Sequence, residues 1–343
     1  MTQIRGFLTQ AAVLAFVLLS VAGCIVIDGG GCNFHAKFER TVELQHPMQA
    51  GSTLAVSTAS GSIDVTGQET DQVQVTATIQ ARAATEEEAQ ELAEQVEIRF
   101  QEAGDKLVVK ADRPNNLRWN RSISISYVIT VPRQTHVECD SASGSLKLRD
   151  LTGNVNARTA SGSVEGTQIK GFVRLHSSSG SVHCENASGG DVDLDTASGG
   201  VRLSNASDVG TCRAHSSSGS VRVQHVQADL IRMDSGSGGV TAEDVTCSHL
   251  NARSGSGHVS VAFAPSTPSN VVVDLGTGSG GINAVMPPAF AGRVDLSVAS
   301  GSVHINQPVT VQGDIGKRHV TGTIGEGTGS LSAHTGSGSI DVR

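Results

Sequence analysis

A Ser-Gly-Ser or Ser-Gly-Gly turn followed by an aliphatic residue returns along this chain at a nearly constant interval. Its glycine stands at Gly144, Gly162, Gly180, Gly199, Gly219, Gly238, Gly257, Gly280 and Gly301. The intervals are 18, 18, 19, 20, 19, 19, 23 and 21 residues; Gly322 and Gly338 continue the series, and an early copy stands at Gly61. A period of about 20 residues with a fixed glycine describes one coil of chain per repeat, stacked on the next.

Alignment of the repeats on the glycine shows what each coil buries. Seven residues before it stand Val137, Val155, Val173, Val192, Cys212, Ile231, Leu250, Val273 and Val294, and five before it Cys139, Ala157, Leu175, Leu194, Ala214, Met233, Ala252, Leu275 and Leu296. The position between them is polar, which is the period-2 alternation of a strand with one wet and one dry face. Two residues after the glycine come Leu146, Val164, Val182, Val201, Val221, Val240, Val259, Ile282, Val303 and Ile340, so the inward parity flips across the turn. A glycine needed for positive φ, or for want of room for a Cβ, accounts for that flip. Three residues before it, a column of small hydroxyls (Ser141, Thr159, Ser177, Thr196, Ser216, Ser235, Ser254, Thr277) is expected to bond along the stack, hydroxyl to hydroxyl and to freed turn backbone.

The expected fold is all-β, a parallel β-solenoid (β-helix) of about 19-residue Ser-Gly-Ser coils, with a small N-terminal αβ capping segment. Ten or eleven coils spaced by about 4.8 Å make a rod of about 50 Å. The competing arrangement makes each turn the tip of an antiparallel hairpin in a sandwich, barrel or propeller. Columns of like residues favour the parallel stack. Composition agrees: forty glycines and 3% aromatic residues suit many short strands around a slim core, not a large enzyme pocket.

Residues 1–23 are a separate text. Arg5 precedes an apolar run from Ala11 to Val21, too short for a stable transmembrane span, which ends in Val21-Ala22-Gly23-Cys24. The small residues leading into Cys24 resemble a bacterial lipobox, which implies cleavage before Cys24, lipidation of its thiol and a membrane anchor. Residues 24–37 then form a flexible tether containing Gly29-Gly30-Gly31. The chain is expected to be an exported, membrane-anchored lipoprotein of the cell envelope. With Ile25 following the cysteine, the outer membrane is favoured where two exist. Removing residues 1–23 takes away one positive charge, Arg5, and moves the net charge from −8 to −9. Mild acidity argues against a nucleic-acid partner.

Residues 38–135 depart from the array, and the solenoid proper is expected over 136–343. Asp71 to Gln80 alternates as a strand, Thr85 and Glu88 form a capping-box pattern before Ala89, Leu92, Ala93 and Val96, and Lys106–Lys110 and Ser122–Val131 supply further strands. This segment is expected to cover the end of the solenoid, where an open coil exposes a pairing edge. Trp119 and Tyr127 fit either a binding patch or packing within this segment.

Several stretches together resemble a known family. Gly61-Ser62-Ile63-Asp64-Val65-Thr66-Gly67, the acidic helix over Thr85–Glu94, Ile125-Ser126-Tyr127-Val128-Ile129-Thr130-Val131-Pro132, the Ser-Gly-Ser array and the closing Thr335-Gly336-Ser337-Gly338-Ser339-Ile340-Asp341-Val342 look like the bacterial putative-adhesin β-strand-repeat family, a domain of unknown function. The resemblance spans roughly residues 38–343. It implies a secreted or envelope β-helix with no assigned reaction.

Motifs with catalytic potential are sparse. Gly276-x-Gly278-x-x-Gly281 matches a dinucleotide fingerprint in letters, but Pro287-Pro288 follows in place of a helix. Asp191, Asp193 and Asp195 alternate along one strand about 6.6 Å apart, too far to share one ion without loop ligands. Cys139, Cys184 and Cys212 replace aliphatic residues at inward positions and are expected to be free buried thiols, and no C-x-x-C pair supports a zinc site. The outward column four before the glycine reads Asp140, Arg158, His176, Asp195, His215, Asp234, Arg253 and later His334. Charge complementarity between coils accounts for it, and a glycan-binding or metal-binding stripe is the alternative. His176 and His215 lie two coils apart, beyond reach of one metal.

From these features we expect no catalytic, cofactor-binding or metal-binding residues, and no enzyme. The expected role is a noncatalytic lipoprotein presenting a rigid β-repeat surface for adhesion, envelope interaction or sensing, its partners an envelope protein or glycan. The alternative is a carbohydrate-binding or polysaccharide-cleaving β-helix.

Overall fold

The computed structural model describes residues 36–114, 120–311 and 316–343. The signal segment, Cys24, Cys32 and Trp119 lie outside the described residues. The first strand, Ala36–Pro47, begins two residues inside the stretch read as tether.

Each Ser-Gly turn joins two strands of one continuous sheet, 27-stranded among the described residues, that wraps around the core. Its two facing sides are here called the leading sheet (before the turn) and the trailing sheet (after it). In the leading sheet Val137, Val155, Val173, Val192, Cys212, Ile231, Leu250 and Val273 stand level on successive parallel strands. Leu146, Val164, Val182, Val201, Val221, Val240, Val259 and Ile282 do the same in the trailing sheet. Parallel in-register pairing excludes the hairpin arrangement. Both columns are buried and form the core between the sheets, as the alternation requires. The chain is therefore an all-β, solenoid-like stack; its one α-helix among the described residues is Glu86–Glu94.

The stack does not follow chain order at its ends. Thr53–Ser60 and Ile63–Gln68 pair with the coil over 136–152 on one side and with Lys106–Asp112 and Ser122–Pro132 on the other, so part of the segment read as a cap is itself a level of the stack. Beyond it, Gln72–Ala83 pairs antiparallel with Ser122–Pro132, Ala36–Pro47 pairs antiparallel with Gln72–Ala83, and the helix packs against both of those outer strands. The Thr85 hydroxyl accepts from the Glu88 amide at 3.2 Å and caps that helix, whose Ala89, Leu92 and Ala93 are buried.

At the other end the last strands, Gly329–Ser337 and Ile340–Val342, insert between the coil carrying Gly280 and the coil carrying Gly301. The sequence order Gly280, Gly301, Gly338 thus becomes Gly280, Gly338, Gly301 in space. Gly322 is not a turn glycine; it lies in His319–Ile324, which pairs antiparallel with Gly292–Ser300 at the far edge.

The turn glycines are required mostly by close approach. At Gly162, Gly180, Gly199, Gly219, Gly238 and Gly257 an added Cβ meets the carbonyl of the preceding turn glycine, which no real Cβ contact tolerates. Positive φ applies at Gly61, Gly301 and Gly338, at 122°, 141° and 149°. The hydroxyl column joins these turns to one another through the backbone. Ser177 Oγ donates to the Gly162 carbonyl at 2.7 Å and accepts from the Gly180 amide at 2.8 Å, and Thr196, Ser216, Ser235 and Ser254 repeat both bonds. Thr159 and Thr277 make the carbonyl bond alone, Ser141 Oγ is buried without a partner, and none of these hydroxyls is bonded to another of the column.

A second special column escaped the sequence reading. Six residues after the turn glycine, Asp150, Gln168, Asn186, Asn205, His225 and Asp244 all adopt left-handed backbone, with φ of 53–57°. This conformation inserts one extra residue into the alternation, so the next inward residues are Leu151, Ile169, Ala187, Ala206, Val226 and Val245. The 20-residue interval after Gly199 is absorbed by a register shift between Ala206 and Val209, where Asp208 also takes a φ of 54°. The 23-residue interval before Gly280 leaves both strands in register, since its extra residues lie between Phe263 and Val272. Thr267 ties that bulge down by donating to the Val245 carbonyl at 3.0 Å.

Candidate functional site

Short turns leave the outer faces of the two sheets as the surfaces the fold can present. On the leading sheet, the outward positions four and six residues before the turn glycine run as two adjacent columns along the stack axis. Arg158, Arg174, His176, Asp193, Asp195 and Arg213 line a shallow depression of about 460 Å³ there. The four strands involved are locked by turn hydroxyls, so the spacing of these side chains is set by the backbone rather than by loops.

Within the depression the acids and bases are matched across coils. Arg174 Nε donates to Asp193 at 3.0 Å, and His176 Nδ1 lies 2.8 Å from Asp195. Farther along, Arg253 donates to Asp274 at 2.6 Å, Asn251 donates to the same carboxylate at 3.0 Å, and Arg232 meets Asp234 at 3.3 Å. Arg158 and Arg213 have no carboxylate within ion-pair distance among the described residues, and so face solvent as uncommitted donors.

The three alternating aspartates serve separate ends. Asp193 and Asp195 hold Arg174 and His176, while Asp191 accepts from the Thr211 amide of the next coil at 2.8 Å. Among the described residues no group of three His, Cys, Asp or Glu side chains converges to hold a metal ion. His176 and His215 stand on either side of Asp195 in register, one coil away in each direction. The dinucleotide-like glycines at 276–281 lie in strand and turn, with Ile282–Val285 continuing as a strand.

Cys139, Cys184, Cys212 and Cys247 are free and buried. Burial pushes the thiols of Cys184, Cys212 and Cys247 up to about 12, and that of Cys139 further in the same direction. Thiolate chemistry is thereby suppressed. Tyr127 is core rather than a surface patch: it is fully buried and its phenol is raised to about 12 by desolvation.

Sequence reasoning placed every residue of the depression on an outward position but treated the two columns apart. Their union is a consequence of strand register, which puts positions two apart on one strand beside positions on the next.

A family model described as Toastrack DUF4097 matches residues 51–211 and again residues 191–343. The chain belongs to the Toastrack DUF4097 family. The model fits twice, in overlapping stretches, along one continuous stack. Among solved structures, the chain is similar to a putative adhesin from Bacteroides fragilis, at 13% identity and a TM-score of 0.34, covering 89% of this chain and 97% of that one. It is also similar to a putative lipid binding protein from Parabacteroides distasonis, at 10% identity and a TM-score of 0.39, covering 88% and 96%. A putative adhesin from the same organism follows at 12% identity and a TM-score of 0.34, covering 89% and 97%. With scores this low, membership rests on the family model. No curated protein matches the chain. Among the described residues no helix is long and apolar enough to cross a membrane.

Proposed function

We propose that this Toastrack protein is a noncatalytic lipoprotein of the cell envelope, anchored through Cys24 and presenting the leading-sheet face to an envelope protein or glycan, as an adhesin or sensor does. The observation that carries the reading is the depression over Arg158–Arg213. Asp193 and Asp195 are already engaged by Arg174 and His176, while Arg158 and Arg213 keep free donors on a rigid, open face. Acid–base cleavage needs a carboxyl pair free to exchange protons with substrate in a cleft, whereas recognition needs fixed donors and acceptors. Glycan recognition is the favoured partner class, because unpaired guanidinium beside paired carboxylate and imidazole offers both signs of hydrogen bonding to hydroxyl-rich or uronic sugars.

Two measurements test this. Cys24→Ser is expected to abolish acyl labelling and release the protein from the membrane fraction; unchanged labelling removes the anchor. Screening the protein on polysaccharide and envelope-extract arrays, with product analysis alongside, is expected to give binding that Arg158→Ala and Arg213→Ala weaken, and no cleavage. Released sugar fragments overturn the noncatalytic reading.

A further inference from the structure

The trailing sheet carries a like-charge pair that no carboxylate among the described residues offsets, whereas the corresponding pair on the leading sheet, Arg213 beside Arg232, has Arg232 held by Asp234 at 3.3 Å. The outward column of the trailing sheet three residues after the turn glycine runs, coil by coil in register, Asp64, Lys147, Glu165, His183, Arg202, Arg222, Thr241 and Ser260. Signs alternate as far as Glu165, and His183 follows. Then two arginines stand side by side, followed by two hydroxyls.

Arg202 and Arg222 are direct Cα partners on adjacent parallel strands, so their side chains leave the sheet about 4.8 Å apart. Both are exposed. Like charges directly opposite destabilise a sheet, and this chain carries a net −8 with which to neutralise them. It does not do so here. Among the described residues neither arginine has a carboxylate within ion-pair distance, and the nearest acids of the neighbouring outward column are engaged elsewhere. Glu185 lies 3.9 Å from His183, and Glu243 accepts from the Gln224 amide. Ser204 and Thr241 flank the pair on the same face and supply hydroxyl donors.

We propose that Arg202 and Arg222 form a binding site for a phosphate-class oxyanion on the trailing sheet. Two guanidinium forks rooted on adjacent strands can offer a tetrahedral oxyanion up to four charge-assisted hydrogen bonds. Their mutual repulsion is relieved when the anion binds. The geometry selects compact, multiply charged oxygen clusters over a lone carboxylate, which one fork alone satisfies. This site lies on the face opposite the depression of the leading sheet and stands or falls independently of the role proposed for it.

The test uses the full chain and two probes: inorganic phosphate, followed by calorimetric titration, and phosphatidylcholine vesicles with and without phosphatidylglycerol, followed by co-sedimentation. Arg202→Ala and Arg222→Ala are each expected to weaken binding about tenfold. Arg174→Ala, which removes the same charge from the other sheet, is expected to leave it unchanged. Urea midpoints of the Arg202 and Arg222 variants are expected to equal or exceed that of the parent, which separates lost binding from lost folding. Loss of inorganic phosphate binding assigns a site for the free anion; loss confined to phosphatidylglycerol vesicles assigns a lipid phosphate. Absence of binding to both probes, or an equal loss in Arg174→Ala, overturns the proposal.

Discussion

Adjacent glycines in one turn, Gly199 and Gly200, should respond in opposite ways to the same substitution. A Cβ on Gly199 falls closer than 3.0 Å to the carbonyl of Gly180 and to the Ser181 amide nitrogen, so the two coils must part locally. Parting them breaks the bridge in which Thr196 Oγ1 donates to the Gly180 carbonyl at 2.8 Å and accepts from the Gly199 amide at 3.3 Å. Two hydrogen bonds contribute about 1 kcal/mol each, and forced overpacking adds about 1–3 kcal/mol. Gly199→Ala is therefore expected to destabilise by about 3–5 kcal/mol. At Gly200 the added Cβ meets nothing nearer than the Ser220 carbonyl oxygen at 3.5 Å, and φ lies outside the left-handed region. Gly200→Ala is expected to be neutral or to stabilise by about 0.4–1 kcal/mol through a less flexible unfolded chain. Urea denaturation, compared at equal slope, reads the difference. Equal midpoints for the two variants, or a lower midpoint for Gly200→Ala, would refute the close-approach account of the repeat.

Three further outcomes are expected. In a background without native cysteines, Val182→Cys with Val201→Cys and Ile282→Cys with Ile340→Cys should oxidise to disulfides, because each pair is level on adjacent strands. Leu194→Cys with Val201→Cys and Ile282→Cys with Val303→Cys should not, and mass spectrometry showing the reverse would dismantle the parallel stack or its reordered end. Asn186→Val should destabilise by about 1–2 kcal/mol and Asn186→Gly by little, since only the first forces a β-branched residue into a φ of 57°; equal urea midpoints would argue against that turn. The buried thiols should resist alkylation near neutral pH until the protein unfolds. Their raised folded-state values mean that above pH 9, the ordinary thiol value, the unfolded chain holds fewer protons than the native one, so stability should fall from about pH 9 towards about 12. A cysteine-free variant with the same alkaline profile would show that other groups, Tyr127 among them, account for it.

Much of this architecture was legible along the chain because stacking repeats one local environment many times. The apolar columns through Val173 and Val182, the parity flip at Gly180 and the polar columns through His176 all follow from period-2 geometry, and each needs only neighbours in sequence to be read. The left-handed column at Asp150, Gln168, Asn186, Asn205, His225 and Asp244 was also written there. Asn, Asp and His tolerate that conformation best, and an apolar column directly follows, but no single residue type repeats to draw the eye as glycine does.

What the chain could not disclose by itself is which coil lies against which once the interval becomes irregular. Nothing local in Gly338 distinguishes a coil that follows Gly301 from one that slides in beside Gly280, because both neighbours present the same turn and the same aliphatic column. Only the assembled sheets decide it. The Thr335 hydroxyl finds the Gly280 carbonyl at 2.8 Å, and the outer coil is left to pair antiparallel with His319–Ile324. The same holds for the two surfaces. Sequence marked Arg158 as outward, while register between strands some twenty residues apart put Arg202 and Arg222 shoulder to shoulder on one face and matched Arg174 with Asp193 on the other. A repeat specifies the environment of each position, and long-range hydrogen bonding chooses the neighbour.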